Sequence, residues 1–188
     1  MRYIMQRRYS AIDLRGYPSD LFTAVCSVVP VKEFHPTTTL QGIMVESIGQ
    51  LKRIPKEVDV IFAQGGSRER NRKFLESGKI HMLSQPYPLD SVQARLAAQH
   101  SVGLELCFHD MIHFSGYLRA KVLTSLRRTI SLAQKYHAPL VITSGSTAPY
   151  EVKSPRTLVA FGRILGLHYP EAKAALWNVP RAIIGEVP

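Results

Sequence analysis

The sequence predicts an α/β fold: a shortened TIM-like (β/α) barrel of seven or eight parallel strands, in one domain over residues 1–188. Three observations carry this. Short apolar runs bounded by Gly, Pro and Ser suit strands buried on both faces. Amphipathic, helix-like runs alternate with them, which favours a parallel sheet. The number of runs suits a closed barrel, yet 188 residues fall below the roughly 200 that a full eightfold barrel needs. Some crossovers in the first half are therefore expected to be vestigial.

The strand-like runs, in order, are residues 9–14 (YSAIDL), 23–29 (TAVCSVV), 42–46 (GIMVE), 58–63 (VDVIFA), 80–84 (IHMLS), 103–108 (GLELCF), 140–143 (LVIT) and 182–184 (AII). A helix over 21–28 is an alternative reading of the second run. The first helix is predicted over 68–77, stopped by Gly78. Asp90 caps a helix over 91–100 with Val92, Leu96 and Ala97 as its apolar stripe. Residues 116–137 form the longest, with Leu118, Val122, Leu126, Ile130 and Ala133 at three- and four-residue intervals and Pro139 beyond it. Ser154-Pro155 opens another helix, a serine cap followed by proline at the first position. The last is predicted over 170–177.

The charge balance narrows the partners. Lys and Arg number 24 against 14 Asp and Glu, a formal +10, with a pI of about 9.9. Such a surface either attracts a polyanion (RNA, DNA or anionic membrane) or is simply solvated. The longest apolar runs, such as 21–31, are far shorter than the roughly 18 residues of a membrane span, and the N-terminal MRYIMQRRYS lacks the apolar stretch of a secretory signal. Cys26 and Cys107 sit in no CxxC pair and read as buried thiols of a reducing compartment. A cytoplasmic protein without membrane attachment is expected.

Three constellations are candidates for anion binding. Between Gly116 and Tyr136 lie Arg119, Lys121, Arg127, Arg128 and Lys135 with no acidic residue. Lys121, Arg128 and Lys135 are seven apart and share a face. A solvated helix normally mixes signs, whereas a one-sign face suits phosphates. The second constellation is GGSRERNRK at 65–73, with Arg68 and Arg70, where glycines and a helix start follow a strand. The third is the hydroxyl loop TSGST at 143–147, whose Ser144 and Ser146 precede Arg156 at a helix start. These three residues are expected to lie together at the C-terminal ends of the strands.

Catalytic signatures are sparse. HDMIH places His109 and His113 four apart beside Asp110, but at a strand-to-loop junction and without an HExxH glutamate. Asp13 and Glu46 lie at other strand ends. A metallohydrolase of phosphate esters built from Asp13, Glu46, His109 and Asp110 is the alternative reading, and a non-enzymatic binder of anionic ligands a third. No P-loop and no G-x-S-x-G elbow is present. No catalytic residue, metal ligand or cofactor is assigned to the chain.

Several segments together are similar to a known family. These are GLELCF, Tyr117-Leu118-Arg119-Ala120, AQKYHAPLVITSGST, Ser154-Pro155-Arg156-Thr157-Leu158, GRILGL and Pro170-Glu171-Ala172-Lys173-Ala174, all between Gly103 and Glu186, with AIDLR at 11–15. Their order and spacing resemble archaeal ribonuclease P protein component 3, related to the eukaryotic thirty-kilodalton subunit. Gly145 and Thr157 depart from the family's loop motifs, and the match is weak over 16–90. The resemblance implies a distorted barrel related to the polymerase-and-histidinol-phosphatase superfamily, lacking that superfamily's metal-binding histidines. It implies a subunit of the ribonucleoprotein endonuclease that removes the 5′ leader of precursor tRNA, with the chemistry carried by the catalytic RNA and its Mg²⁺. The implied partners are that RNA, the small ferredoxin-like component 2, the other protein subunits and, indirectly, precursor tRNA.

Overall fold

The computed structural model describes residues 10–185. Tyr9, most of the N-terminal segment tested for a secretory signal, and Glu186 lie outside them. In chain order the elements are β1 (Ile12–Asp13), β2 (Ala24–Val25), β3 (Ser27–Pro30), β4 (Gln41–Val45), β5 (Val60–Gln64), α1 (Arg68–Ser77), β6 (Met82–Ser84), α2 (Ser91–Gln99), β7 (Gly103–Cys107), α3 (Phe108–His113), α4 (Gly116–Tyr136), β8 (Leu140–Thr143), α5 (Pro155–Leu165), α6 (Tyr169–Ala174) and α7 (Asn178–Ile183).

All ladders are parallel. β3 to β8 form one six-stranded sheet in sequential order, and β1 pairs with β2. Cys26 joins the two sheets: its N–H donates to Asp13 O, and its carbonyl accepts from Gly16 N–H. Residues 24–30 are thus one run that pairs first with β1 and then with β4. Between β1 and β5 there is no α-helix among the described residues, only 3-10 turns at Val31–Glu33 and Ile48–Arg53. The first-half crossovers are as short as the chain length requires.

No ladder joins β8 to β1 among the described residues. The connection between α6 and α7 fills the seam, since Ile142 N–H donates to Ala175 O and Ile12 N–H donates to Leu176 O. At their C-terminal ends the two strands do meet: Gly145 N–H donates to Arg15 O at 2.9 Å.

Strand alternation sorts the side chains. Ile61, Ala63, Leu83 and Leu104 pack outward against α1, α2 and α4, while Val60, Phe62, Met82 and Val141 pack together on the other face with Trp177 and Ile183. On that inner face apolar residues occupy the N-terminal half of the strands, and Ser84, Glu105 and Thr143 occupy the C-terminal half. The site is built where the inner face turns polar.

Several predicted elements differ. Residues 182–184 are not a strand; Ala182 and Ile183 end α7. Apolar runs this short do not distinguish strand from helix, and Val179 and Ile183, four apart, supply a helical contact with the core. The helix expected over 170–177 ends at Ala174. HDMIH is not a loop junction: α3 follows β7 directly. In α2 the buried positions are Gln93, Ala94 and Ala97, while Val92 faces solvent. Gln93 is buried because its amide donates to Arg68 O at 2.7 Å and its carbonyl oxygen accepts from Asp90 N–H. Leu118, expected in the apolar stripe of α4, is exposed.

Candidate nucleic-acid interface

Glu105 lies on the inner face of β7, with its side chain fully buried. A buried carboxylate is tolerated only when paired and hydrogen-bonded. Here Arg15 Nη1 lies 3.1 Å from Oε2, Thr143 Oγ1 donates at 2.7 Å to Oε1, and the Ser84 hydroxyl donates to Oε2. Arg15 Nη1 also donates to Ser84 Oγ at 2.9 Å. The adjacent Glu105 charge holds the Arg15 guanidinium well above its ordinary pKa.

A second set fixes the β1–β8 junction. Asp13 Oδ1 accepts from Ser144 N–H and Arg15 N–H. Burial pushes its carboxyl up to about 6, against the lowering effect of its Ser144 and Arg15 hydrogen bonds. Ser144 and Ser146 hydroxyls bond each other at 2.8 Å, and Ser146 Oγ accepts from Tyr17 N–H. A third set holds Asp110, which accepts from Gln85 Nε2 and Tyr87 Oη. Burial, then Asp110, raises the Tyr87 hydroxyl far above its ordinary range. Burial also raises the Cys26 and Cys107 thiols, leaving neither as a nucleophile.

These groups satisfy one another. The network ties together the ends of β1, β6, β7 and β8. It does not leave the Ser84 and Thr143 hydroxyls free, since both donate to the buried Glu105 carboxylate. Nor does Glu105 fit a metal, since its oxygens are engaged by a guanidinium and two hydroxyls. The four residues of the hydrolase reading are not assembled: among the described residues no hydrogen bond or ion pair joins any two of Asp13, Glu46, His109 and Asp110, and Glu46 is exposed. No group of three His, Cys, Asp or Glu among the described residues is arranged to hold a metal. His109 and His113 do share one helix face, with ring centroids 5.3 Å apart. Outside the network is a hollow of about 370 Å³ lined by Arg15, Tyr17, Ser27, Gly145, Ser146 and Thr147.

The sequence-predicted anion groups are distributed over the surface. Ser144 and Ser146 turn inward and are buried. Arg156 stands exposed on the first turn of α5, and no hydrogen bond or ion pair joins it to either serine among the described residues. On α4, Val122, Leu126, Thr129, Ile130 and Ala133 are buried, and Arg119, Lys121, Arg127, Arg128 and Lys135 are exposed. Arg127 Nη2 donates to Ile164 O and Arg119 Nε to Phe114 O, so both heads are held in place without losing their charge. On α1, Arg68 is exposed and Arg70 packs over Phe74. Two neighbours pair within the helix, Lys73 with Glu69 and Arg72 with Glu76. The Gly65 and Gly66 N–H groups donate to Ser84 O and Asn71 Oδ1. A Cβ at Gly65 would lie 2.4 Å or less from the backbone of Ser84 and Gln85, so this glycine serves strand packing.

Sequence reasoning missed Glu105, Ser84, Gln85 and Tyr87 and noted Arg15 only within AIDLR. The available signal was Glu105 itself, a charged residue inside the buried run GLELC.

In sequence the chain is 33% identical over 141 residues to ribonuclease P protein component 3 of Methanosarcina barkeri, covering 72% of this chain and 59% of that relative. The chain therefore spans less than two thirds of that relative's length. It is 28% identical over 184 residues to the component 3 of Methanothermobacter thermautotrophicus, covering 89% of this chain and 75% of the relative. In structure it resembles a chain of an archaeal ribonuclease P solved with mature tRNA by cryo-electron microscopy. The TM-score is 0.77 at 25% identity, covering 93% of this chain and 90% of that one. Residues 15–186 match the family model described as RNase P subunit p30, and the chain belongs to that family.

Proposed function

We propose that this chain is a protein subunit of ribonuclease P. In this reading it holds the catalytic RNA and so supports removal of the 5′ leader from precursor tRNA. The observation that carries the reading is α4. Its buried stripe anchors it to the sheet, while Lys121, Arg128 and Lys135 stand exposed at seven-residue spacing on a helix without an acid. Such a face neutralises phosphates along an A-form backbone, by charge and shape rather than base sequence. Arg119, Arg127 and Arg156 extend the cationic surface. Arg68 and Arg70 contribute less, because their helix carries internal ion pairs.

The chemistry would belong to the RNA and its Mg²⁺. The chain is non-catalytic in this account and binds no cofactor, in keeping with the mutually satisfied network around Glu105. The protein partners would be the small ferredoxin-like component 2 and the other subunits, in the cytoplasm. The fold reading that goes with this is one distorted barrel domain related to the polymerase-and-histidinol-phosphatase superfamily. It is supported by the sequential parallel strands and by the contact of Gly145 with Arg15 across the seam. Affinity capture of the chain from its native cells, followed by sequencing of bound RNA, tests the reading. Enrichment of one structured RNA together with precursor tRNA is expected. Recovery of no RNA above background would refute it.

A further inference from the structure

Among the large apolar side chains left in solvent, the two most exposed are tyrosines. Tyr117 is 80% exposed, Tyr150 83%, Leu118 54% and Ile112 43%. Tyr117 and Leu118 begin α4, Ile112 lies on α3, and Tyr150 lies in the turn after β8. Contacts connect these segments. The His109 and His113 rings stack, and His113 meets the edge of Phe114 at 5.4 Å. Glu151 Oε2 accepts from the Thr147 N–H and hydroxyl and lies 3.9 Å from His109 Nδ1. That last distance is too long for a hydrogen bond, and His109 Nδ1 is buried without a partner. Tyr150 therefore precedes in sequence the Glu151 that faces one end of the ring stack, and Tyr117 follows Phe114, at the other end, by three residues.

The surroundings are cationic. Residues 108–121 and 147–163 contain Arg119, Lys121, Lys153, Arg156 and Arg163 against two acids, Asp110 and Glu151. Asp110 is buried, and Glu151 is committed to Thr147. The hydrogen bond from Arg119 Nε to Phe114 O, at 2.7 Å, keeps that guanidinium at the edge of the ring stack.

We propose that this rim is a stacking surface for unpaired nucleotides of a bound RNA, with Tyr117 and Tyr150 taking bases and Arg119, Lys153 and Arg156 taking the flanking phosphates. The inference rests on the RNA reading above and adds which part of the RNA is held. Exposed aromatic rings amid positive charge match a strand whose bases are free, because every base offers a π-face and each link carries a phosphate. A duplex hides its base faces, so it has nothing to place on these rings. An apolar protein partner would leave the cations unmatched. The chain thus offers two surfaces: the exposed cations of α4 for backbone phosphates, and the aromatic rim for single-stranded nucleotides.

The test uses the full chain with two probes, an oligouridine and a blunt RNA duplex of equal nucleotide count, and compares Tyr117→Ala and Tyr150→Ala with the phenylalanine replacements. Both tyrosines are solvent-exposed, so the variants are expected to fold. Each alanine variant should lose about tenfold in oligouridine affinity. Duplex affinity and the salt dependence of oligouridine binding should stay unchanged, since a ring carries no charge. Tyr117→Phe and Tyr150→Phe should bind like the parent. A 2-aminopurine placed in the oligouridine should be quenched by the parent and less so by the alanine variants. Unchanged oligouridine affinity in both alanine variants would overturn the inference while leaving the RNA reading intact. So would equal losses for both probes. Failure of the parent to bind either RNA would overturn the RNA reading and this inference with it.

Discussion

The Arg15 guanidinium meets the Glu105 carboxylate at 3.1 Å across 90 positions of sequence, joining the exit of β1 to the inner face of β7. Glu105 is fully buried and Arg15 about a quarter exposed. Breaking such a pair from one side leaves a buried charge without its partner. Arg15→Met should therefore destabilise the fold by about 3–5 kcal/mol. Combining it with Glu105→Gln, which removes the charge and keeps groups for Ser84 and Thr143, should recover most of that loss. Urea denaturation of the parent, the single and the double variants reads this directly. A double variant no more stable than Arg15→Met would contradict the pairing.

Asp13 gives the fold a pH dependence of uncommon sign. Its carboxyl is pushed up to about 6 from 3.8, chiefly by burial. Between those values the folded state keeps a proton that the unfolded chain releases, so stability falls as pH rises through this window and levels off above it. Asp13→Asn cannot ionise. Relative to the parent it should gain about 2.5 kcal/mol on going from pH 4 to pH 7. The thermal midpoints of both proteins at several pH values measure this. A difference independent of pH would rule out the assignment.

The α4 face makes an electrostatic prediction. Replacing Lys121, Arg128 and Lys135 with Ala should weaken duplex RNA binding and reduce the slope of log affinity against log salt by about 0.9 for each phosphate no longer neutralised. The slope is the diagnostic quantity, because a folding defect lowers active protein without changing it. An unaltered slope would remove α4 from the RNA interface.

Much of the framework was legible where local chemistry decides structure. The β-branched run at 58–63 became β5, Gly78 ends α1 in the left-handed conformation, and Asp90 and Ser154 cap α2 and α5 through their side chains. What could not be read depends on packing between segments distant in sequence. Gln93 replaces Val92 as a buried residue only because Arg68 O lies within reach. Ser144 and Ser146 read as ligand-facing hydroxyls, but the Ser144 hydroxyl donates to Arg15 O and Ser146 Oγ accepts from Tyr17 N–H once β1 and β8 meet. Glu105 and Arg15 form no linear motif. The α4 cations were legible because helical periodicity alone puts Lys121, Arg128 and Lys135 on one face.

In the proposed reading this chain assists an RNA catalyst and does not cleave RNA itself. Single-turnover 5′ cleavage of precursor tRNA, measured across a Mg²⁺ titration with the catalytic RNA, this chain and the proposed ferredoxin-like partner in all combinations, tests this reading. The expected result is no cleavage by the chain alone, little help from the chain without its partner, and cleavage by the RNA at lower Mg²⁺ when both proteins are present, because the proteins neutralise phosphates that Mg²⁺ would otherwise screen. Metal-dependent cleavage at the 5′ site by the chain alone, abolished by Asp13→Ala or His109→Ala, would contradict it and restore the metallohydrolase reading.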